Sequence, residues 1–215
     1  MRRKKEVRII YEKLFRHFGP QGWWPAGSPF EVMVGAILTQ NTSWRNVEKA
    51  IANLKRSGAL NLKRLHKMPA RRLALLIKPA GYYNLKALRL KNFLNFLVAT
   101  YRGDLGKMKR QPVATLRREL LAVKGIGPET ADSILLYALG KTAFVVDAYT
   151  KRIFSRHKLS EERAGYEEVR NFISRNLRNE VELFNEYHAL LVKLGKDYCL
   201  KRNPRCAICP LKKEA

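Results

Sequence analysis

The residues of this chain best placed to do chemistry are the carboxylate Asp147 and the hairpin Gly125-Ile126-Gly127. The two glycines can take positive φ and bring bare backbone close to a ligand. Pro128 then opens a helix at the position where a missing N–H costs nothing. The unpaired N–H groups of that helix start, with the positive end of its dipole, make a site for one phosphate. Asp147 closes the apolar run Ala143-Phe144-Val145-Val146. A buried anion there can stay ionised, stabilise an oxocarbenium-like sugar and help water attack its anomeric carbon. Asp147 is equally suited to cap a helix opening at Ala148, and the two roles are compatible. A phosphate clamp and a lone carboxylate on one short segment point to an enzyme acting on nucleic acid.

Two other groups could contribute. Trp23, Trp24 and Trp44 are all the tryptophans of the chain. They fall in loops or at a helix start, placed to line a cleft where a flat ring could stack, although a hydrophobic staple between helices would use them as well. Cys199, Cys206 and Cys209 follow a Cys-x6-Cys-x2-Cys pattern near the C-terminus. That is no disulfide framework, and thiolates so close can hold zinc or an iron–sulfur cluster.

The composition agrees. The chain has 215 residues, 46% of them hydrophobic, enough for one large or two small packed domains. Lys and Arg number 43 against 18 Asp and Glu, a net charge of +25 spread along the chain. Such a field attracts polyanions, DNA or RNA above all. A thermophile's solubilising surface would bring Glu along with Lys, and acids are scarce here. No stretch approaches the ~20 apolar residues of a membrane span, and no apolar h-region follows MRRKKEVRII. The expectation is a cytoplasmic protein with no membrane partner.

The elements that must position these residues are helices. Val7, Ile10, Tyr11, Leu14, Phe15 and Phe18 form a first amphipathic stripe, stopped by Gly19-Pro20. Ser28-Pro29-Phe30-Glu31 is a capping box opening a helix to about Thr39 that is apolar nearly all round, hence a domain centre. Gln40 to Ser43 breaks that helix and caps the next, whose inner stripe is Val47, Ala50, Ile51 and Leu54. A short helix follows Pro69. Leu85, Leu88, Phe93, Leu94 and Leu97 mark a long basic one, and Gly103 to Pro112 reads as loop. Leu116–Val123 and Pro128–Leu139 flank the glycine hairpin, with Gly140 as C′ residue. Three helices follow Asp147. Apart from the ambiguous run 143–146 no strand pattern occurs, and the fold class is all-α.

Taken together, these residues resemble the endonuclease III, or helix-hairpin-helix, superfamily of DNA base-excision glycosylases. Gly81-Tyr82-Tyr83-Asn84-x-Lys86-Ala87 is similar to the family's G-[FLY]-Y-N-x-K-A stretch, Leu121 to Ile134 to its hairpin, and Val146-Asp147 to the pair carrying its catalytic aspartate. The cysteine spacing is similar to that of its 4Fe-4S cluster. The resemblance runs from about Trp24 to Cys209. It implies two helical domains: a six-helix barrel over 28–138 including the helix-hairpin-helix (116–139), and a second domain joining 1–27 to 139–215, with the hairpin and Asp147 facing the cleft between them. It further implies a monomer acting on double-stranded DNA with a damaged base, without a nucleotide cofactor. Gln40 matches the position that fills the hole left by a flipped nucleotide. Ile126 and Thr130 belong to the DNA-binding hairpin, and Arg152 is placed to hold a phosphate.

The chain departs from the family pattern twice. Where bifunctional members carry a lysine that attacks the sugar through a Schiff base, this chain has Glu129, and a carboxylate forms no imine. The expectation is a monofunctional enzyme with water as nucleophile. The place of the family's fourth cysteine falls on Ala215, so a cluster would need a ligand from elsewhere. Within the superfamily, Trp23-Trp24-Pro25, Thr39-Gln40-Asn41-Thr42 and Glu129 are most similar to the bacterial endonuclease III-like 3-methyladenine glycosylases. That similarity implies that Trp44 stacks on the flipped base, Trp24 and Pro25 wall it, and Glu129 lies near the pocket floor. A π-rich pocket with an acid suits a cationic alkylated purine. Uracil, mismatched thymine or an oxidised base are alternative lesions, and a DNA-binding protein without catalysis is an alternative of another class.

Overall fold

The computed structural model describes residues 2–24 and 26–212. Twelve α-helices and no strand occur among them, as the all-α reading expects. In chain order they are α1 (Arg2–Phe18), α2 (Pro29–Leu38), α3 (Trp44–Arg56), α4 (Leu62–Lys67), α5 (Ala70–Leu76), α6 (Tyr83–Tyr101), α7 (Leu105–Arg110), α8 (Val113–Ala122), α9 (Pro128–Ser133), α10 (Ala148–Arg156), α11 (Tyr166–Asn176) and α12 (Val181–Asp197). None of the described helices is long and apolar enough to cross a membrane. The chain divides into two compact units, Ala26–Lys141 and Met1–Pro25 with Thr142–Ala215. Pro25 and Ala215 lie outside the described residues.

The unit Ala26–Lys141 is built around α2, in which every residue after Pro29 is buried. Ser28 Oγ accepts from the N–H of Glu31 at 3.2 Å, and Glu31 Oε2 accepts in return from the N–H of Gly27 at 3.1 Å, a capping box displaced by one residue on its return bond. The far end of α2 is capped from another helix. Lys86 on α6 is buried and donates from Nζ to the carbonyls of Leu38 (2.8 Å) and Ala80 (2.7 Å). Burial, and then the charge of Arg89, lowers its pKa to about 8. The lysine of the G-Y-Y-N-x-K-A stretch is thus the C-terminal cap of the central helix, fixing the turn that carries Gln40.

Several local expectations change in this unit. Residues 103–112 are not all loop: α7 lies there, and Asp104 caps it by accepting from the N–H of Lys107 at 3.0 Å. Helix α4 was not expected, although Asn61 caps it in the ordinary way. Ser43 stands at the N-cap of α3 without a side-chain cap bond. Leu85 and Leu88 are exposed, because α6 turns Lys86, Ala87, Leu90, Phe93, Leu94 and Leu97 inward instead.

In the other unit α1 lies against α11 and α12. Val7, Ile10 and Leu14 are buried, and the Tyr187 hydroxyl donates to the Val7 carbonyl at 3.0 Å. The run Ala143–Val146 is buried chain without regular secondary structure, not a strand, and Phe144 meets Phe184 and Tyr187 edge-on. Helices α10 and α12 approach so closely that a Cβ on Gly195 would lie 2.4 Å from Tyr149 Cδ1, so that contact requires glycine.

Candidate functional site

The hairpin joins α8 to α9. Gly125 has φ +97, and a Cβ there would lie 2.4 Å from Cγ of Arg89. Gly127, the N-cap of α9, has an ordinary φ of −94 and would offer a Cβ nothing within 4 Å. Ile126 between them is buried and anchors the turn from below. Past α9 the chain continues into a π-helical stretch, Ile134–Ala138, and ends at Gly140 with φ +61, the left-handed C′ glycine expected there.

Gln40 belongs to this hairpin. Its Nε2 donates to the Gly125 carbonyl at 3.1 Å and to Thr130 Oγ1 at 2.9 Å, while Arg89 Nη1 donates to its Oε1. Gln40, Gly125 and Thr130, picked from distant parts of the sequence, are therefore in one network, with Arg89 as a member that the sequence did not reveal. The two hairpin helices are tied by a bidentate pair, Arg117 Nε to Asp132 Oδ1 at 2.8 Å and Nη2 to Oδ2 at 3.2 Å, the carboxylate fully buried. Glu129 is exposed on the first turn of α9, where its charge complements the dipole. Trp44 is half-buried at the first position of α3, and its Nε1 donates to Glu48 Oε1 at 2.8 Å.

The second group of candidates lies in the other unit. Asp147 is the N-cap of α10: Oδ1 accepts from the N–H of Thr150 at 2.7 Å. Its other oxygen, Oδ2, lies 3.7 Å from Nε2 of His188 on α12. Burial alone would raise this carboxyl's pKa; His188 and the Thr150 N–H outweigh it, and the group is held below the ordinary carboxylate value. It is an anion at neutral pH. Trp23 and Trp24 are half-buried and edge-to-face at 6.1 Å, with the Lys196 ammonium 5.8 Å above the Trp23 ring.

Arg152, placed by resemblance to hold a phosphate, makes contacts within its own unit. Its Nε donates to the Cys199 carbonyl at 2.7 Å and its Nη2 to the Gly195 carbonyl at 3.0 Å, with the guanidinium over the Tyr149 ring. It ties α10 to the end of α12 with two of its five N–H donors. Arg156 does the same one turn on, donating to Cys199 Sγ at 3.3 Å and to the carbonyls of Leu200 and Lys201. Of the cysteines, Cys199 is buried, Cys206 exposed and Cys209 half-buried. Burial first, then the neighbouring Cys199 and Cys206, pushes the Cys209 thiol up. Among the described residues no three metal-ligating side chains converge to hold a metal. Three sulfurs, with alanine at the fourth place, fall short of the four protein thiolates of a 4Fe-4S cluster.

One unit thus carries a glycine hairpin that closes a helix pair, and the other an ionised carboxylate that caps a helix. The chain belongs to the HhH-GPD superfamily of base excision DNA repair proteins, whose match covers residues 34–179, and it is a DNA repair glycosylase. It is 50% identical over 205 residues to a Methanocaldococcus jannaschii protein with a proposed role as a DNA repair glycosylase, covering 94% of this chain and 92% of that one. It is 31% identical to endonuclease III of Thermotoga maritima, covering 86% of this chain and 81% of that one. Among solved structures it is similar to the H. pylori 3-methyladenine DNA glycosylase bound to 1,N6-ethenoadenine, with a TM-score of 0.76 and 29% identity, covering 90% of this chain and 97% of that one.

Proposed function

We propose that this protein is a monofunctional glycosylase that flips an alkylated purine of the 3-methyladenine type out of double-stranded DNA and releases it hydrolytically, leaving an abasic site. The observation that carries the reading is Glu129 on the first turn of α9. A lysine there would supply the amine for an imine with the sugar; a carboxylate cannot. Water must then be the nucleophile. In this reading the hairpin holds a backbone phosphate through its N–H groups, and Gln40 and Thr130 brace it. Asp147 faces the positive charge that develops on the sugar as the base leaves. An N-alkylated purine is already cationic and departs with little acid assistance. Trp44 provides a ring for it to stack on, Glu129 a favourable charge, and the pair Trp23–Trp24 further aromatic surface.

The similarity to a 3-methyladenine glycosylase supports the alkylpurine choice. The same fold serves other lesions, and a Pyrobaculum aerophilum thymine/uracil-DNA glycosylase is 26% identical over 93% of this chain. We further propose a monomer of two domains working at the nucleoid. If a cluster is held, Cys199, Cys206 and Cys209 are its protein sulfurs and the fourth ligand comes from elsewhere.

The test is base release from methylated duplex, with uracil, oxidised and mismatched duplexes alongside. Free 3-methyladenine without strand nicking is expected. Faster release of another base would overturn the lesion assignment. A covalent complex trapped by borohydride would overturn the assignment of water as nucleophile. Iron content and absorbance near ~400 nm on the same preparation decide the cluster.

A further inference from the structure

We propose that His188 is a positioning residue for Asp147, fixing the plane of its carboxylate through Oδ2 while the helix cap fixes Oδ1. The proposal rests on the assignment of Asp147 as the catalytic anion. A capping aspartate with one anchored oxygen can still rotate its second. Here that oxygen meets His188 Nε2 at 3.7 Å, ion-pair range though long for a hydrogen bond. Both side chains are nearly buried, 14% and 8% exposed. The imidazole is held in its turn, edge-on to Phe144 at 6.5 Å. Each carboxylate oxygen accepts at two lone pairs, so Oδ2 can keep His188 on one side and face substrate with the other.

The placement of His188 is built into the helix pair. Gly195 lies two turns further along α12 on the same face. Its lack of a side chain lets Tyr149 of α10 sit directly on the backbone. Arg152 then bridges from α10 to the carbonyls of Gly195 and Cys199. These contacts fix the spacing of α12 from α10 and so bring His188 to the start of α10, where Asp147 is. A donor there also opposes the neutralisation that burial alone would impose on the carboxylate. Nothing in the helix cap requires this donor, because the Thr150 N–H is already satisfied by Oδ1.

The experiment compares wild type, Asp147→Asn, His188→Leu and His188→Gln in single-turnover base release, on whichever damaged duplex the wild type processes fastest. Affinity for a duplex carrying a tetrahydrofuran abasic analogue, and thermal melting, are measured in parallel. Leucine keeps the bulk without a donor; glutamine keeps a neutral donor. His188→Leu is expected to slow base release about ten- to hundredfold, the range for losing one electrostatic contact to a charged group in a buried setting, with affinity unchanged within about twofold. His188→Gln is expected to restore most of the rate. If His188→Leu does not fold, His188→Met presents the same donorless side chain. Wild-type rate in His188→Leu beside an inactive Asp147→Asn would overturn the proposal alone. So would equal losses of rate, affinity and melting temperature in both the leucine and glutamine variants, since those mark a purely structural role. Wild-type rate in Asp147→Asn would overturn the underlying assignment of Asp147, and the role of His188 with it.

Discussion

The two hairpin glycines should fail in different ways when each is given a methyl group. In Gly125→Ala the new Cβ must adopt φ +97 and lies 2.4 Å from Arg89 Cγ and 3.1 Å from Cδ. Left-handed backbone costs a non-glycine residue roughly 1–2 kcal/mol. Carbon atoms need about 3.5 Å, so the Arg89 stem has to move and its guanidinium leaves Gln40. Losing a hydrogen bond from a charged donor adds about 1.5–3 kcal/mol. The expected destabilisation is about 3–5 kcal/mol, a fall of about 6–20 °C in melting temperature at this chain length. In Gly127→Ala the backbone is already in a region alanine favours, and nothing lies within 4 Å of the methyl. Losing a glycine N-cap costs at most about 1 kcal/mol, so the melting temperature should barely change. In the proposed function its methyl stands in the path of a phosphate approaching the α9 N–H groups. Duplex affinity, measured by fluorescence anisotropy across a salt series, should weaken about tenfold, with the log–log salt slope shallower by about one phosphate contact. If Gly127→Ala binds DNA as the wild type does, the hairpin does not work through close backbone approach. If Gly125→Ala melts like the wild type, the Arg89 contact is not a constraint.

Three further outcomes follow from the geometry. Asp132→Ala leaves Arg117 without its bidentate partner in a buried setting, so urea unfolding should show a loss of about 3–5 kcal/mol, and a loss under 1 kcal/mol would mean the pair does not tie α8 to α9. Because the folded pKa of Asp147 lies below the ordinary 3.8, its charge stabilises the fold above that value and ceases to do so as pH falls through the folded pKa. The urea midpoints of wild type and Asp147→Asn should therefore differ by a constant amount from about pH 5 to 7 and converge below about pH 4, and a gap that opens on acidification would contradict this. Glu129→Lys places an amine on the first turn of α9 and should yield a borohydride-trapped complex with damaged duplex, detected as a gel shift under denaturing conditions; its absence would show that this position does not reach the sugar.

What could be read in the sequence was what depends on local chemistry. The capping box at Ser28, the helix start at Pro128, the glycine stop at Gly140 and the cap at Asp147 all appear at their residues, because each rests on a few neighbours along the chain. Residues 103–112 were misread because glycine, proline and lysine dominate the segment, and Asp104 was not weighed as a cap for so short a helix. Leu85 and Leu88 mark α6 in the sequence, yet both are exposed and Lys86 between them is buried. The lysine won because two helix ends needed a donor at that point. Arg89 and His188 left no local signature: each acts on a residue more than forty positions away.

The same need for donors at helix ends shapes the contacts of Arg152. A composition of 43 lysines and arginines invites the view that each one is available to DNA. Lys86, Lys91, Arg152 and Arg156 instead turn to backbone carbonyls. Their charges still add to the field that draws a polyanion, while part of their hydrogen-bonding capacity is used inside the fold. In the proposed function, recognition rests on groups of another kind, backbone N–H donors in the hairpin and one ionised carboxylate. Asp147 shows how a single residue serves two ends. The cap engages Oδ1 and leaves Oδ2 beside His188. Helix capping thus anchors one oxygen of the proposed catalytic carboxylate, and a variant that lost only the cap would release Oδ1 while keeping the Oδ2 contact with His188.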